Sequence, residues 1–317
     1  MFINKTVLIT GGTGTIGQFL VEKLLHTNVK RVIVFSRDEE KQFDMQQKYS
    51  DSRLCYVIGD IRNQQQIDCA MYGVDYVIHA AAIKQVPIAE KNPVEAVLTN
   101  VMGTYNVVLA AINQNAKKVV YISSDKSIAP TNCMGMTKGI SERIIRSELC
   151  SKSKTEIVSV RLGNVLGARG SVIPLWKKQI RARGKIVVTD KAMTRFIMTT
   201  EEVYQLIVHA VKEGKSGEII FLDMNACSIY EMAKCICMCY GLDYRSSILL
   251  AEPRTGEKMY EELFSEEEKS YMYSLNEYYH VGTVKKVEKL NIPCRSNEVN
   301  LLTVDEIREL LIQNDII

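Results

Sequence analysis

The stretch Thr6-Val-Leu-Ile-Thr-Gly-Gly-Thr-Gly-Thr-Ile-Gly17 constrains the fold more than any other part of the chain. A short apolar run, residues 6–10, reads as a buried strand, and residues 19–25 carry a helical pattern of apolar positions. A strand, a glycine-rich turn and a helix, in that order, make a dinucleotide site. Glycine lets the backbone approach a pyrophosphate, and the helix start offers free N–H groups at its positive dipole end. Gly11, Thr13, Gly14, Thr15, Ile16 and Gly17 are therefore cofactor candidates. An ordinary tight turn is the competing reading, and the segments downstream argue against it.

Those segments alternate between strand and helix patterns as far as residue 165. Strand 31–35 ends in Ser36-Arg37-Asp38, with Lys41 one helical turn further on. An acidic residue at this tip usually bonds the ribose of NAD, whereas Arg accommodates the 2′-phosphate of NADP. With Ser36, Arg37 and Lys41 around Asp38, NADP is favoured over NAD. Strand 54–58 runs into Gly59-Asp60-Ile61, and strand 76–78 into His79 and the small residues Ala80, Ala81 and Ala82, which let the chain pass close under a ribose or nicotinamide. His79 reads as a packed, hydrogen-bonded histidine. A helix over 94–114 carries Asn100. Strand 119–122 then leads to Ser123, Ser124, Asp125 and Lys126, a turn at Pro130, and a helix opening near Gly135 that carries Lys138.

This alternation predicts an α/β fold: a Rossmann-like, doubly wound parallel sheet with its ligand at the C-terminal strand ends. Residues 1–166 and 198–225 are expected to form that domain. Residues 167–197 and 226–317 are expected to build a smaller substrate domain. The charge run at 266–269 reads as a solvated face.

Forty Lys and Arg against 37 Asp and Glu give a net charge of +3, too small and too evenly spread to point to nucleic acid or a membrane. No apolar run is expected to span a bilayer, and the first strand begins too early for a signal peptide, which points to the cytoplasm. Of nine cysteines only 235, 237 and 239 cluster, within a helical pattern and with no His nearby. Buried reduced thiols fit that spacing better than a metal site.

The glycine spacing resembles that of the short-chain dehydrogenases, and six further stretches sharpen the likeness. SRDEEKQ (36–42), AAAIKQVPIAEKNP (80–93), SSDK with PTN-x-MG-x-TK (123–138), RLGNVLGARGSVIP (161–174), VTDKAMTRF (188–196) and RTGEK (254–258) resemble the UDP-N-acetylglucosamine 4,6-dehydratases. These are extended short-chain dehydrogenases that begin routes to deoxyamino sugars of flagella and capsules. The likeness runs over nearly the whole chain, to the short members without added membrane segments.

The resemblance implies that Asp60 and Ile61 clasp adenine, Asn100 braces the active-site backbone, and Ser123 and Lys138 meet the cofactor. Lys84 would lie between cofactor and sugar. Ser124, Asn164 and the Gly170-Ser171-Val172 loop would approach the nucleotide-sugar, with Arg195 and Arg254 on its phosphates and Glu257 on a ribose hydroxyl. Homo-oligomers, dimers or hexamers, are expected. A 4,6-dehydratase oxidises C4, removes the C5 proton, expels the C6 hydroxyl and returns hydride to C6, so it needs an acid and a base together. Asp125 and Lys126 supply that pair if burial keeps the acid protonated and the amine neutral. Plain hexose 4,6-dehydratases carry Asp-Glu there instead.

Met134 stands where most short-chain dehydrogenases place a catalytic tyrosine, four residues before Lys138. Some members of the resembled group share this methionine. The C4-hydroxyl proton must then leave through Lys126, Asp125, Ser124 or water. The short members favour inversion at C5; the residues themselves leave retention and inversion open. A C4 or C5 epimerase on the same fold and a non-catalytic NADP-binding sensor or scaffold are the alternatives.

Overall fold

A computed structural model describes residues 1–286, 290 and 292–317. Its first strands are β1 (Thr6–Thr10), β2 (Arg31–Ser36), β3 (Leu54–Ile58), β4 (Tyr76–His79), β5 (Lys118–Ser124) and β6 (Glu156–Leu162). They lie parallel in the order β3-β2-β1-β4-β5-β6. The register sets Thr10 beside Phe35 and His79, and Ser124 beside Leu162, so the strands finish along one edge. Side chains alternate between two buried faces. Val7, Ile9 and Val34 join one core with Val120 and Ile122; Leu8, Ile33 and Phe35 join the other with Val119 and Tyr121. Continuous β-branched runs, with no polar alternation, suit strands covered on both sides. The doubly wound α/β sheet expected from the sequence is therefore present.

Beyond β6 come β7 (Asn164–Val165), β8 (Ile186–Val188), β9 (Thr194–Met198), β10 (Ile219–Leu222), β11 (Ala226–Ser228), β12 (Ile248–Leu250), β13 (Met272–Leu275) and β14 (Tyr278–Val281). β10 returns parallel to β6, and the hairpin β13–β14 continues the sheet in antiparallel fashion. Residues 272–281, expected in the second unit, thus belong to the main sheet. The hairpin turns at Asn276 and Glu277, both with positive φ, which suits the right-handed twist of its strands. A buried polar group fastens it: His280 links His209 to Glu218, and Tyr273 donates to Glu218.

The smaller unit packs β7–β9–β11 and β8–β12 against helices Val172–Arg183, Ile229–Cys239 and Val304–Gln313 around Trp176, Ile236 and Leu311. All nine cysteines are free thiols, and Cys227, Cys235 and Cys237 are buried in this core. Among the described residues no group of His, Cys, Asp and Glu is arranged to hold a metal ion.

Three local expectations change. The helix expected over 94–114 is helical from Pro93 but passes through a π-helical turn, Val97–Met102, before Gly103–Asn113. That combined segment, Pro93–Asn113, is long and apolar enough by composition to cross a bilayer, contrary to the sequence reading, yet 61% of its most apolar stretch is buried inside the fold as a core helix. The charge run 266–269 is not wholly solvated. Glu268 turns inward and bonds Arg161 through both carboxylate oxygens, at 2.8 Å each.

Candidate active site at the strand ends

A cavity of about 610 Å³ opens along the C-terminal ends of the sheet. The helix Thr15–Leu25 begins at Gly14 with no side-chain cap, which leaves its first N–H groups open. Gly11 has φ of 68°, and a Cβ there would come within 2.8 Å of the Ala81 backbone. A Cβ on Gly17 would lie 2.5 Å from Gly12, so that glycine lets the helix sit against the turn. Open donors at a helix start, against a bare backbone turn, fit a pyrophosphate. Thr13, Thr15, Ile16, Ser36, Arg37, Asp38, Lys41, Asp60, Ile61, Ala80, Ala82, Lys84, Ser123 and Lys138 also line this cavity.

The charges at the β2 tip are arranged by local bonds. Asp38 caps the helix Glu39–Lys48 by accepting from the Lys41 backbone, and the Lys41 ammonium pairs with the same carboxylate. Those contacts hold Asp38 below the usual carboxylate range. Arg37 is half exposed, with Nη1 3.8 Å from Asp60. Asp60 is also held by Arg62. His79 bonds Thr10 and Thr104 through its two ring nitrogens, and burial, with Lys138 adding to it, drives its pKa down to about 3. It is the neutral packed histidine expected.

The helix Cys133–Ile145 starts two residues earlier than expected, because Asn132 caps it by accepting from Gly135. This sets Met134 and Lys138 on the cavity wall. The Met134 thioether packs with Ala89 and Ala96. Lys138 Nζ donates to the Ile122 carbonyl at 2.6 Å and lies 4.6 Å from the Tyr121 ring centre. Burial lowers its pKa to about 8. Ser123 on the same wall donates to Glu142, which in turn grips Arg161.

Lys126 is the reactive side chain that reaches the cavity beside them. Its Nζ contacts Asp125 Oδ1 at 2.9 Å, Asn164 Oδ1 at 2.9 Å and Glu261 Oε1 at 3.3 Å. Burial opposes its charge, but Asp125 and Glu261 outweigh burial and leave its pKa above the ordinary value. The expectation of a neutral, desolvated amine is thus corrected for the resting site: two carboxylates hold it as an ammonium. Asp125 is fully buried behind Lys126. Ser124 donates to its Oδ1 at 2.8 Å, while Oδ2 has no partner.

Ser124, Asn164, Gly170, Ser171 and Val172 line the cavity as the resemblance implied, but five expected residues do not. Asn100 sits in the π-helical turn, bonding both the N–H and carbonyl of Ile83 and the hydroxyl of Thr137. It braces the wall from behind and is not itself a cofactor contact. Arg195 is drawn inward, donating to the Thr194 carbonyl with Nε 3.7 Å from Glu261. Arg254 and Glu257 stand on a loop folded onto itself, the Arg254 N–H donating to Glu257. Asp125 is the fifth.

Sequence reasoning also missed two groups. Glu261 belongs to an acidic pair with no signal of its own. Arg169 straps the mouth of the cleft: its backbone N–H donates to Thr15, its guanidinium to the Thr13 carbonyl, and its carbonyl accepts from Lys84.

The site has parallels among known proteins. The polysaccharide biosynthesis protein family matches residues 7–283. A protein of Rickettsia prowazekii named UDP-glucose 4-epimerase is 38% identical, over 99% of this chain and 97% of its own. The X-ray structure of Pen from Bacillus thuringiensis is 40% identical with a TM-score of 0.94, covering 100% of this chain and 99% of that one. The dTDP-glucose 4,6-dehydratase DesIV of Streptomyces venezuelae, solved with NAD and TYD, shares the fold at 23% identity and a TM-score of 0.74, over 80% of this chain and 86% of its own. Family match, cleft and sheet agree, and the chain belongs to the polysaccharide biosynthesis protein family, on the extended short-chain dehydrogenase fold of nucleotide-sugar dehydratases and epimerases.

Proposed function

We propose that this protein is an NADP-dependent UDP-N-acetylglucosamine 4,6-dehydratase. One observation carries the reading: Lys126 faces the cavity on top of the buried Asp125, while Met134 occupies the phenol position and no Tyr or His lines the wall among the described residues. A C4 epimerase needs only a proton acceptor at C4 and has no use for a second acid–base group. An elimination needs both.

Ser36, Arg37 and Lys41 at one end of the cleft and Lys138 at the other would hold the cofactor, its pyrophosphate at the open helix start. A nicotinamide cofactor held there would supply the hydride acceptor for C4 and the hydride donor for C6. The protein handles the protons. Ser124 passes the O4 proton to Asp125 Oδ1, to which its hydroxyl donates. Asp125 does not reach the cavity itself, so it returns that proton through Ser124, which does, to the C6 hydroxyl, which departs as water. Lys126, once it is the free amine, takes the C5 proton, and the electron pair it leaves forms the C5–C6 double bond. Returning that proton to C5 completes the sequence, so the O4 proton ends in the water and the C5 site is restored. Sugar filling the cavity excludes water, and this lowers the cost of discharging the Asp125–Lys126 ion pair.

Epimerisation at C4 is the second reading, favoured by the names of the Rickettsia relatives. Incubation with UDP-N-acetylglucosamine, followed by mass spectrometry and proton NMR, separates the two. Loss of one water with a new methyl doublet supports the dehydratase; an isomer of unchanged mass supports the epimerase. Lys126→Ala should abolish deuterium incorporation at C5 from D₂O, and persistent incorporation would remove Lys126 from the role of base.

A further inference from the structure

Some group must decide whether Lys126 is an ammonium or an amine. Asp125 cannot do so alone, because it is already occupied with the O4 proton. The other carboxylate on Lys126 comes from far along the chain, on the segment that follows the loop of residues 254–258. Glu261 is 2% exposed, and its Oε1 lies 3.3 Å from Lys126 Nζ. Its backbone is pinned on both sides by Ser296, whose hydroxyl accepts from the Glu261 N–H while its own N–H donates to the Glu261 carbonyl. Ser296 is itself bonded to Thr194. The carboxylate is therefore fixed in place. Its second oxygen, Oε2, is buried without a hydrogen-bond partner.

We infer that Glu261 is a positioning residue that sets the charge on Lys126: when ionised it holds the ammonium, and when the Nζ proton crosses to Oε1, the oxygen in contact with it, it leaves the amine. This deepens the dehydratase reading and rests on it for its catalytic meaning. Glu261 does not line the cavity, so it acts through Lys126 and not on the sugar.

The surroundings make such a device workable. Facing Lys126 are Asp125 from its own turn, Glu261, the neutral Asn164 from β7, and Arg195 from β9 at longer range. Facing Glu261 are Lys126, Asp125, Arg195 with Nε at 3.7 Å, and Lys258 from its own segment. The carboxylate thus sits between cations that favour its charge and a second carboxylate that does not. Burial is the largest influence on it, and with Asp125 it carries the Glu261 pKa above the ordinary carboxylate value. When a sugar fills the cavity, loss of water around Lys126, which lines it, disfavours the ammonium. Substrate binding then favours the transfer of the Nζ proton to Glu261 Oε1, and the amine appears only in the filled, dry site. Charge is conserved: the Nζ–H bond that breaks is matched by an O–H bond formed on a carboxylate it touches.

Glu261→Gln is isosteric with the protonated acid and tests the proposal directly. Removing an opposite charge at this range lowers a lysine pKa by roughly 1–3. With 13C,15N-lysine labelling, the Lys126 signal is assigned by its absence from a Lys126→Arg variant. It should titrate at lower pH in Glu261→Gln than in the native protein, where, against burial, Asp125 and Glu261 hold it above the ordinary lysine value. The pH at which C5 deuterium exchange reaches half its plateau should fall by the same amount, roughly 1–3 on the pH scale. The KM for UDP-N-acetylglucosamine should stay within about threefold, since the cavity wall is untouched. Glu261→Asp, which keeps the charge but draws it back by one methylene, should shift both midpoints less and in the same direction. It serves as the test if Glu261→Gln does not fold. A Lys126 signal that titrates identically in native and variant proteins overturns the inference, whatever reaction the protein runs. If the signal shifts but neither protein exchanges C5, the hold of Glu261 on Lys126 stands and the dehydratase reading falls.

Discussion

Lys138→Met should make the cofactor-free protein more stable at neutral pH while disabling it. Lys138 is buried, and its pKa falls from 10.5 to about 8. Each tenfold weakening of proton binding corresponds to about 1.4 kcal/mol, so burying this ammonium costs the folded state roughly 3 kcal/mol where Lys138 is charged in both states. The folded protein binds fewer protons than the unfolded chain between about pH 8 and 10.5. The penalty is therefore complete below about pH 8 and disappears as pH rises toward 10.5. Methionine fills similar space without the charge, but it strands the Ile122 carbonyl that Lys138 Nζ now bonds at 2.6 Å. That loss costs about 1 kcal/mol or somewhat more. The net expectation is a gain of roughly 1–2 kcal/mol near pH 7, replaced near pH 10.5 by a small loss. Urea unfolding of the cofactor-free native and variant proteins at both pH values measures it. A variant that is less stable at pH 7, or a difference that does not change with pH, would refute the reasoning.

Two further outcomes concern the cleft. Replacing Arg37 and Lys41 together by alanine should weaken NADP binding at least tenfold while moving NAD binding by less than about threefold, read by calorimetry, since guanidinium and ammonium side chains serve a 2′-phosphate and not a free hydroxyl. Met134→Tyr should speed C4 oxidation in single-turnover absorbance measurements if the phenol position still faces the sugar. Its larger ring presses on Ala89 and Ala96 and should cost about 1–3 kcal/mol of stability.

What the sequence made legible was local. The glycine turn, the Ser36–Lys41 tip, the small residues after β4 and the Ser123–Lys126 strand end each carry their signal within a few consecutive residues. Local pattern also misled. Glu268 sits in a run of charges that reads as solvated, but its partner Arg161 comes from β6, and nothing in the run announces it. Arg195 reads as a phosphate ligand from its motif, and only packing reveals that Glu261 draws its guanidinium off the wall. The neutral amine expected at Lys126 follows from burial alone; the carboxylates that reverse it are Asp125, next in sequence, and Glu261, invisible from the motif. The hairpin at 272–281 reads as part of the smaller unit because its short strands look the same in either sheet. Its place is decided by pairing with β10 and by His280 reaching His209 and Glu218.

The proposed chemistry turns on one event: hydride leaving C4 and arriving at C6 of the same sugar as water departs. UDP-N-acetylglucosamine carrying deuterium at C4, incubated with the purified protein in ordinary water, reports it by NMR and mass spectrometry. A dehydratase of this kind yields a product lighter by one water with the deuterium in its new methyl group, and no net accumulation of reduced cofactor. Deuterium found still on C4 of an isomer of unchanged mass would contradict it.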